Sequence, residues 1–252
     1  MVFFIVRSNY LRKQANKTLQ SQKQIIEKQK EEAELQKHVI EEKQKEIIDS
    51  ISYAKRLQEA ILPPTEFINE NTPDNFVIYL PKDIVAGDFY WAEKVNNQFF
   101  IAAADSTGHG VPGAMVSVVC SNALNRTVKE FNITDTGKIL DKTRELVLET
   151  FSKSNSDVKD GMDISLLCID KANKTIYWSG ANNPLWYLSN DTLHEIKADK
   201  QPVGKSDHAK SFISHQLNYK EGDIFYLFTD GLADQFGGPK GKKFKYNRWR
   251  NY

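Results

Sequence analysis

Apolar residues fall into step every seven positions early in the chain, at Leu19, Ile26, Ala33, Ile40, Ile47, Ala54 and Ile61. The stretch 15–62 holds no Gly or Pro and is rich in Glu, Lys and Gln, so the spacing predicts one long helix. A heptad sustained this far predicts a coiled coil, and with it a homodimer formed through residues 15–62. The companion seam position, four residues on, holds Lys23, Lys30, Lys37, Gln44, Ile51 and Gln58. Only Ile51 is apolar there, so the seam is expected to be weak in its first half and firmer toward residue 47. A solvated helix held by i,i+4 ion pairs is the competing expectation. Pro63-Pro64 ends the helix.

Beyond residue 62 the texture changes to short strand-like runs. They occupy residues 75–80, 89–95, 98–104, 164–169, 175–178, 185–188, 212–217 and 224–229, with helical patterns at 113–130 and 137–151. In the first hairpin Phe89, Trp91, Phe100 and Ala102 share one face, while Tyr90, Ala92, Phe99, Ile101 and Ala103 share the other. Both faces are apolar, so this sheet should be covered on both sides. Antiparallel hairpins with two consecutive helices predict a layered α+β sandwich rather than a Rossmann fold.

The hairpin carries the most informative chemistry. With Asn96-Asn97 as a two-residue turn, Val95 faces Gln98 and Asp88 falls opposite Asp105. Opposed residues have Cβ atoms about 4.5–5.5 Å apart, and like charges there repel. A divalent cation between them would relieve the repulsion, whereas one β-bulge would break the register. Asp105 opens the loop Asp105-Ser106-Thr107-Gly108-His109-Gly110-Val111-Pro112-Gly113-Ala114, which leads into a helix. Asp230 ends another apolar strand in the same manner, ahead of Gly231. Asp163 precedes a strand; a turn-capping role is expected of it, with metal ligation as the weaker candidacy. His109, between two glycines, reads as a loop residue, with general-base catalysis as the minority alternative. The glycine loop lacks the Gly-Lys-Ser/Thr of a P-loop. No Ser sits in a nucleophile elbow, and neither Cys has a nucleophile signature or zinc spacing.

Charge sharpens this reading. Net charge is +1, yet residues 61–237 carry 16 basic against 24 acidic residues. An acidic middle suits a cation site and argues against nucleic acid as a partner. Residues 238–252 hold six Lys or Arg and no acid. Cys120 and Cys168 each lie in an apolar run and are expected to be buried free thiols, which fits a cytoplasmic location. The first residues, Met1-Val2-Phe3-Phe4-Ile5-Val6, are followed by Arg7, Arg12, Lys13 and Lys17. That order resembles the end of a transmembrane helix with its basic cytoplasmic flank over residues 1–14. It predicts an upstream membrane or sensor segment that would tether the protein to the inner face of the membrane; a frayed apolar start is the alternative.

Four motifs in order now resemble a known family. They are Lys82-Asp83-Ile84-Val85-Ala86-Gly87-Asp88-Phe89-Tyr90-Trp91, the Asp105 loop, Ser179-Gly180-Ala181-Asn182-Asn183-Pro184 and Phe228-Thr229-Asp230-Gly231. Together they look like the metal-dependent protein phosphatases (PPM), in the SpoIIE-like (stage II sporulation protein E) branch. The resemblance implies an αββα sandwich of two antiparallel sheets over residues 63–252, with two Mn²⁺ or Mg²⁺ ions between the sheets. It implies that Asp88 binds one metal, Asp105 bridges both, the Ser106 carbonyl is a further ligand and Asp230 holds the second ion. The implied activity is hydrolysis of phosphoserine or phosphothreonine on a regulatory protein, by in-line attack of a metal-bridging hydroxide. The implied control runs through the preceding helix.

Two departures bear on that expectation. The family usually has Gly where this chain has Ser106, which a carbonyl ligand tolerates. The family also continues into a last strand with an Asp-Asp pair, whereas no acid follows Asp234 here. The phosphatase domain therefore reads as incomplete at its C-terminus, with residues 244–252 as the start of a missing helix and one metal site weakened. That opens an alternative function, a non-catalytic, degenerate phosphatase-like module that dimerises through its coiled coil. A cyclase or nuclease using two carboxylates is disfavoured because no nucleotide-binding signature is present.

Overall fold

The structure is a computed structural model that describes residues 2–152, 160–237 and 241–246. The chain divides into two compact units, Met1–Ser52 and Tyr53–Tyr252. Helix α1 runs Val2–Glu59 without a break. Its exposed Lys28–Glu32, Lys30–Glu34 and Lys37–Glu41 pairs lie 3.7–4.0 Å apart. Each is worth at most a few tenths of a kcal/mol, about 0.3–0.5 for such helix pairs. The heptad residues Leu19, Ile26, Ile40 and Ile47 are exposed in the single chain. The surface ion pairs of the competing expectation are therefore present, and the heptad residues stand uncovered. Its end comes earlier than the prolines require. Ile61 N–H bonds to the Gln58 carbonyl and Leu62 N–H to that of Glu59, a tightened final turn ahead of Pro63. Among the described residues no helix is long and apolar enough to cross a membrane.

The second unit begins with α2 (Thr65–Asn71) and continues through β1 (Asp88–Val95), β2 (Gln98–Ser106), α3 (Gly110–Lys129) and α4 (Thr136–Ser152). There follow β3 (Gly161–Asp170), β4 (Thr175–Ala181), β5 (Leu185–Ser189), β6 (Thr192–Ile196), β7 (Val203–Gly204), β8 (His215–Asn218) and β9 (Ile224–Tyr226). A small hairpin, β10 (Phe236–Gly237) with β11 (Lys242–Lys243), comes last. One antiparallel sheet has the order β1-β2-β3-β4-β8, with β7 paired to the start of β3; a second has the order β6-β5-β9.

The two faces of the β1–β2 hairpin separate as the alternation predicts. Phe89, Trp91, Phe100 and Ala102 join Val116, Cys120 and Leu124 of α3 and Ile139, Leu140 and Val147 of α4 in one core. On the opposite face, Ala92 and Phe99 meet Phe67 and Ile68 of α2. Leu167, Ile176 and Trp178 of the larger sheet pack there against Leu185, Ile196 and Phe225 of the smaller one. Full burial of side chains such as Trp91 and Phe100 stabilises by about 1.5–3 kcal/mol each. The Trp91 indole N–H, otherwise orphaned, donates to Asn125 Oδ1 at 2.9 Å. This is the expected α+β sandwich of antiparallel sheets. Among the described residues no helix makes comparable contact with the smaller sheet, so the layers seen are helix, sheet, sheet. Cys120 and Cys168 are buried free thiols, as expected.

Some expectations need correction. Residues 75–80 alternate like a strand but form no ladder; Phe76, Ile78 and Leu80 are 70%, 74% and 86% exposed. The run expected at 212–217 is a strand only from His215, and the one at 224–229 only to Tyr226. Of the helix expected to begin within residues 244–252, only Tyr246 is described as helical; residues 247–252 lie outside the described set.

Candidate functional site

The hairpin turn sets the site. Asn96 adopts φ 53°, and the register runs from Val95 opposite Gln98 to Asp88 opposite Asp105 with no bulge. The next ladder extends the row, because Asp105 is also opposite Asp163 on β3. Three carboxylates on three adjacent strands thus stand in one line at one end of the larger sheet. The turn after β9 brings a fourth: a Cβ added to Gly231 would lie 3.2 Å from Asp88 Oδ2, and Thr229 Oγ1 donates to that same oxygen at 3.1 Å. Asp105 lies within hydrogen-bonding reach of both Asp88 and Asp230.

The electrostatics follow from that crowding. Burial pushes the Asp105 carboxyl up to about 8, and Asp88, Asp230 and Asp163 push it the same way. Asp163 is also raised by burial, against the pull of its hydrogen bond from Asn182. Asp230, itself exposed, is raised by partial desolvation, then by Asp234 and Asp88. Burial and the nearby carboxylates Asp230, Asp234 and Asp105 move the Tyr246 phenol up to about 12. Lys243 pairs with Asp234 at 2.6 Å, but among the described residues no ion pair engages Asp88, Asp105, Asp163 or Asp230.

Lys243 offsets Asp230 only in part, and an acidic cluster with oxygen donors has the chemistry of a hard divalent cation site. The fit is chemical rather than complete. Among the described residues no three His, Cys, Asp or Glu side chains surround a common point; the acids meet pairwise through Asp105. Neither the depression lined by Asn97, Phe99 and Lys171 nor the one lined by Pro63, Tyr79 and Tyr90 includes any of these four carboxylates.

The loop after Asp105 is held by its own backbone. Gly108 and Gly110 have φ 90° and 59°, where side chains are strained. A Cβ on Gly113 would lie 2.5 Å from the Gly108 carbonyl oxygen, and one on Gly87 would lie 2.6 Å from that same oxygen. Ser106, the departure from the usual Gly, is buried, and its hydroxyl reaches both the Gly87 carbonyl at 2.8 Å and the Gly113 carbonyl at 3.0 Å. The side chain thus ties the segment just ahead of β1 to the first turn of α3, and the carbonyl is left for ligation. His109 is exposed at the N-terminus of α3 and makes no capping bond.

Two supporting residues carry no strong local signal. Asn182 donates from Nδ2 to Asp163 Oδ1 at 2.7 Å from a left-handed backbone, φ 56°. Asx residues tolerate that conformation, and the Asn182-Asn183-Pro184 run was its sequence trace. Thr229, which orients Asp88, lies next to Asp230 and is visible only once the fold closes.

Comparisons with known proteins bear on the family and the fold. Residues 96–250 match the family described as "Stage II sporulation protein E (SpoIIE)". Phosphoserine phosphatase RsbU of Bacillus subtilis (strain 168) is 26% identical over 203 residues, which cover 76% of this chain and 55% of that protein. The chain therefore spans about half the length of that curated relative. The SiaA-PP2C domain of Pseudomonas aeruginosa superposes with a TM-score of 0.74 at 28% identity, covering 82% of this chain and 81% of that one. A structure of RsbU and RsbW domains from Mycobacterium tuberculosis shares the fold, with a TM-score of 0.50 at 19% identity over 63% of this chain and 42% of that one. The family match takes in Asp105, Asp163 and Asp230 together with most of the sandwich, and on that extent the chain belongs to the SpoIIE family and carries its PP2C-type phosphatase domain.

Proposed function

We propose that this protein is a metal-dependent serine/threonine phosphatase acting on a phosphorylated regulatory protein. The observation that carries the reading is the row Asp88, Asp105, Asp163, joined by Asp230, none of which forms an ion pair among the described residues. Asp88, Asp105, the Ser106 carbonyl and Asp230 would hold two Mn²⁺ or Mg²⁺ ions, with Asp163 as a further ligand. When bound, such ions would supply Lewis acidity toward the phosphoryl oxygens and lower the pKa of water. The chain's own contribution is placement. Thr229 fixes one oxygen of Asp88 and Asn182 fixes one of Asp163. In the metal-free protein burial and Asp88 favour the protonated Asp105 carboxyl, and a bound cation would displace that proton. Gly87 and Gly113 let three backbone segments approach without side chains between them. Phosphoserine as substrate is supported by the name of the RsbU relative.

Two further parts of the proposal concern α1. The exposed seam at Leu19, Ile26, Ile40 and Ile47 supports a homodimer through residues 15–62, and the helix is the route of control over the domain at 63–252. One observation favours the alternative of a non-catalytic module: the carboxylates do not converge three at a time on one point. Hydrolysis of p-nitrophenyl phosphate with and without Mn²⁺ separates the two. Turnover that needs Mn²⁺ and is lost in Asp105→Asn supports the phosphatase. Equal, negligible rates for the wild type and that variant would leave only the interaction module.

A further inference from the structure

Next to the acidic row lies a depression that no step of the proposed reaction uses. Its volume is about 390 Å³, and its lining includes Glu59, Leu62, Pro63, Pro64, Tyr79 and Tyr90. That size falls within the range of about 300–1,000 Å³ usual for ligand sites. Strand alternation fixes its place. Asp88 and Tyr90 are two residues apart on β1, so their side chains share one face of the sheet, about 7 Å from each other. Tyr79 joins them from outside the ladder, its hydroxyl donating to the Asp88 carbonyl at 3.2 Å.

The lining has the chemistry of a cation site. The two phenol rings stand edge to face, with centroids 5.6 Å apart and planes at 73°. Rings at that angle make two walls of a corner, and an aromatic face attracts a cation held within about 6 Å of its centroid. Pro63 and Pro64 stiffen the border, because their rings fix φ. Glu59 adds a carboxylate. Its only printed partner is Lys55 at 3.7 Å, with the two side chains 55% and 49% exposed, a pair weak enough for a better-placed cation to displace. Negative potential reaches the corner from both ends: after burial itself, Asp88, Tyr90 and Glu59 push the Tyr79 phenol up to about 12. Among the described residues no Lys or Arg lies over either ring; Arg56 lies instead over Tyr53. Residues 61–237, with 16 basic against 24 acidic residues, set a wider field that draws positively charged segments.

We infer that this depression is a specificity subsite: it takes the Arg or Lys side chain of a protein substrate, two residues along from the phosphorylated Ser or Thr. An extended peptide advances about 3.4 Å per residue, and residues two apart point the same way. A side chain two places from a phosphoryl group at Asp88 therefore comes over Tyr90. Its charged head would lie against a Tyr face and toward Glu59, with its stem along Leu62 and the prolines. The inference rests on the phosphatase reading above, because the phosphoryl group at the acidic row sets the register.

The test uses the full chain with Mn²⁺ and a set of phosphoserine peptides built from Ala and Gly. A single Arg is placed at each position from three before to three after the phosphoserine. With Arg two residues to one side, kcat/KM should be about fivefold above the all-Ala peptide, the gain lying in KM rather than kcat. Glu59→Gln and Tyr90→Leu should each remove the gain and leave the all-Ala peptide within about twofold of wild type. Lys55→Gln removes the competing cation and should enlarge the gain, a change opposite in sign that lost stability would not produce. Glu59 is exposed, so Glu59→Gln decides the matter if Tyr90→Leu does not fold. Equal kcat/KM for every peptide, a largest gain at another spacing, or a gain that survives Glu59→Gln would overturn the inference. If no peptide is turned over, the phosphatase reading fails instead. Fluorescence anisotropy of the same peptides, labelled with fluorescein, then decides the subsite: tighter binding of the Arg peptide that is lost in Glu59→Gln supports it, and equal binding overturns it.

Discussion

Asp105 stands directly opposite Asp88 across the β1–β2 ladder, within hydrogen-bonding reach of it. The folded protein therefore holds on to a proton that the unfolded chain releases. Between the ordinary carboxyl value of 3.8 and the folded value of about 8, the native state binds more protons than the unfolded one. Stability then falls as pH rises through that window. Melting of the metal-free protein in EDTA should drop on the order of 4 °C between pH 5 and pH 8.5. Asp105→Asn should flatten the slope; an equally steep slope in that variant would assign the pH dependence elsewhere.

Cation binding should reverse the trend. A ligand at a hundred times its Kd stabilises by about 2.7 kcal/mol. Mn²⁺ should raise the melting temperature more at pH 8 than at pH 5.5, because at the lower pH it competes with the Asp105 proton. Calorimetry in two buffers of different ionisation enthalpy should show proton release at pH 7. No released proton would contradict the raised Asp105 pKa.

Asn182 and Asp163 offer a test of the supporting contacts. Asn182→Ala removes the donor to Asp163, and Asn182→Gly removes it while easing the left-handed backbone. Loss of a hydrogen bond to a metal-binding carboxylate costs about 10–100-fold in metal affinity or activity. Both variants should show an increased Mn²⁺ requirement, with Asn182→Gly the more stable. Wild-type Mn²⁺ dependence in both would remove Asp163 from the site.

Ser106 separates side chain from backbone. Ser106→Ala loses the hydroxyl that bridges the Gly87 and Gly113 carbonyls and should destabilise by about 1–3 kcal/mol. The main-chain carbonyl remains, so activity at saturating Mn²⁺ should stay within a few-fold of wild type. A melting curve beside a Mn²⁺ titration checks both halves of the expectation.

The seam of α1 can be probed without touching the SpoIIE-family domain. Ile40→Glu together with Ile47→Glu places charge at two exposed apolar positions. Light scattering should show a dimer for the wild type and a monomer for the double variant. A monomeric wild type would leave α1 as a solitary helix carrying surface ion pairs.

The sequence alone carried the site as far as local geometry reaches. A two-residue turn counts positions, so Asp88 opposite Asp105 followed from Asn96-Asn97. The place of Asp163 opposite Asp105 was not legible, because β2 and β3 are far apart in the chain, with two helices between them, and no turn fixes their register. The hairpin of β5 and β6 had a comparable local sign in Asn190-Asp191, both with positive φ, but β6 is exposed and polar and gave no alternation to read. Residues 75–80 erred the other way, since alternation describes a willing strand but cannot supply its neighbour. Gln58 sat in a heptad slot, where spacing predicts a seam position; only the closed fold shows its amide engaging Ala86.

The unbulged β1–β2 ladder makes its turn a ruler. Asn96-Asn97 lies eight residues from Asp88, about 25 Å along an extended strand. A single residue added there could slide Asp105 past Asp88 and point it to the other side of the sheet. The acidic row would be dismantled with every one of its members still present in the sequence. In any relative or redesigned version of this domain, the parity of that distant loop therefore governs the acidic row as directly as the identity of its residues does.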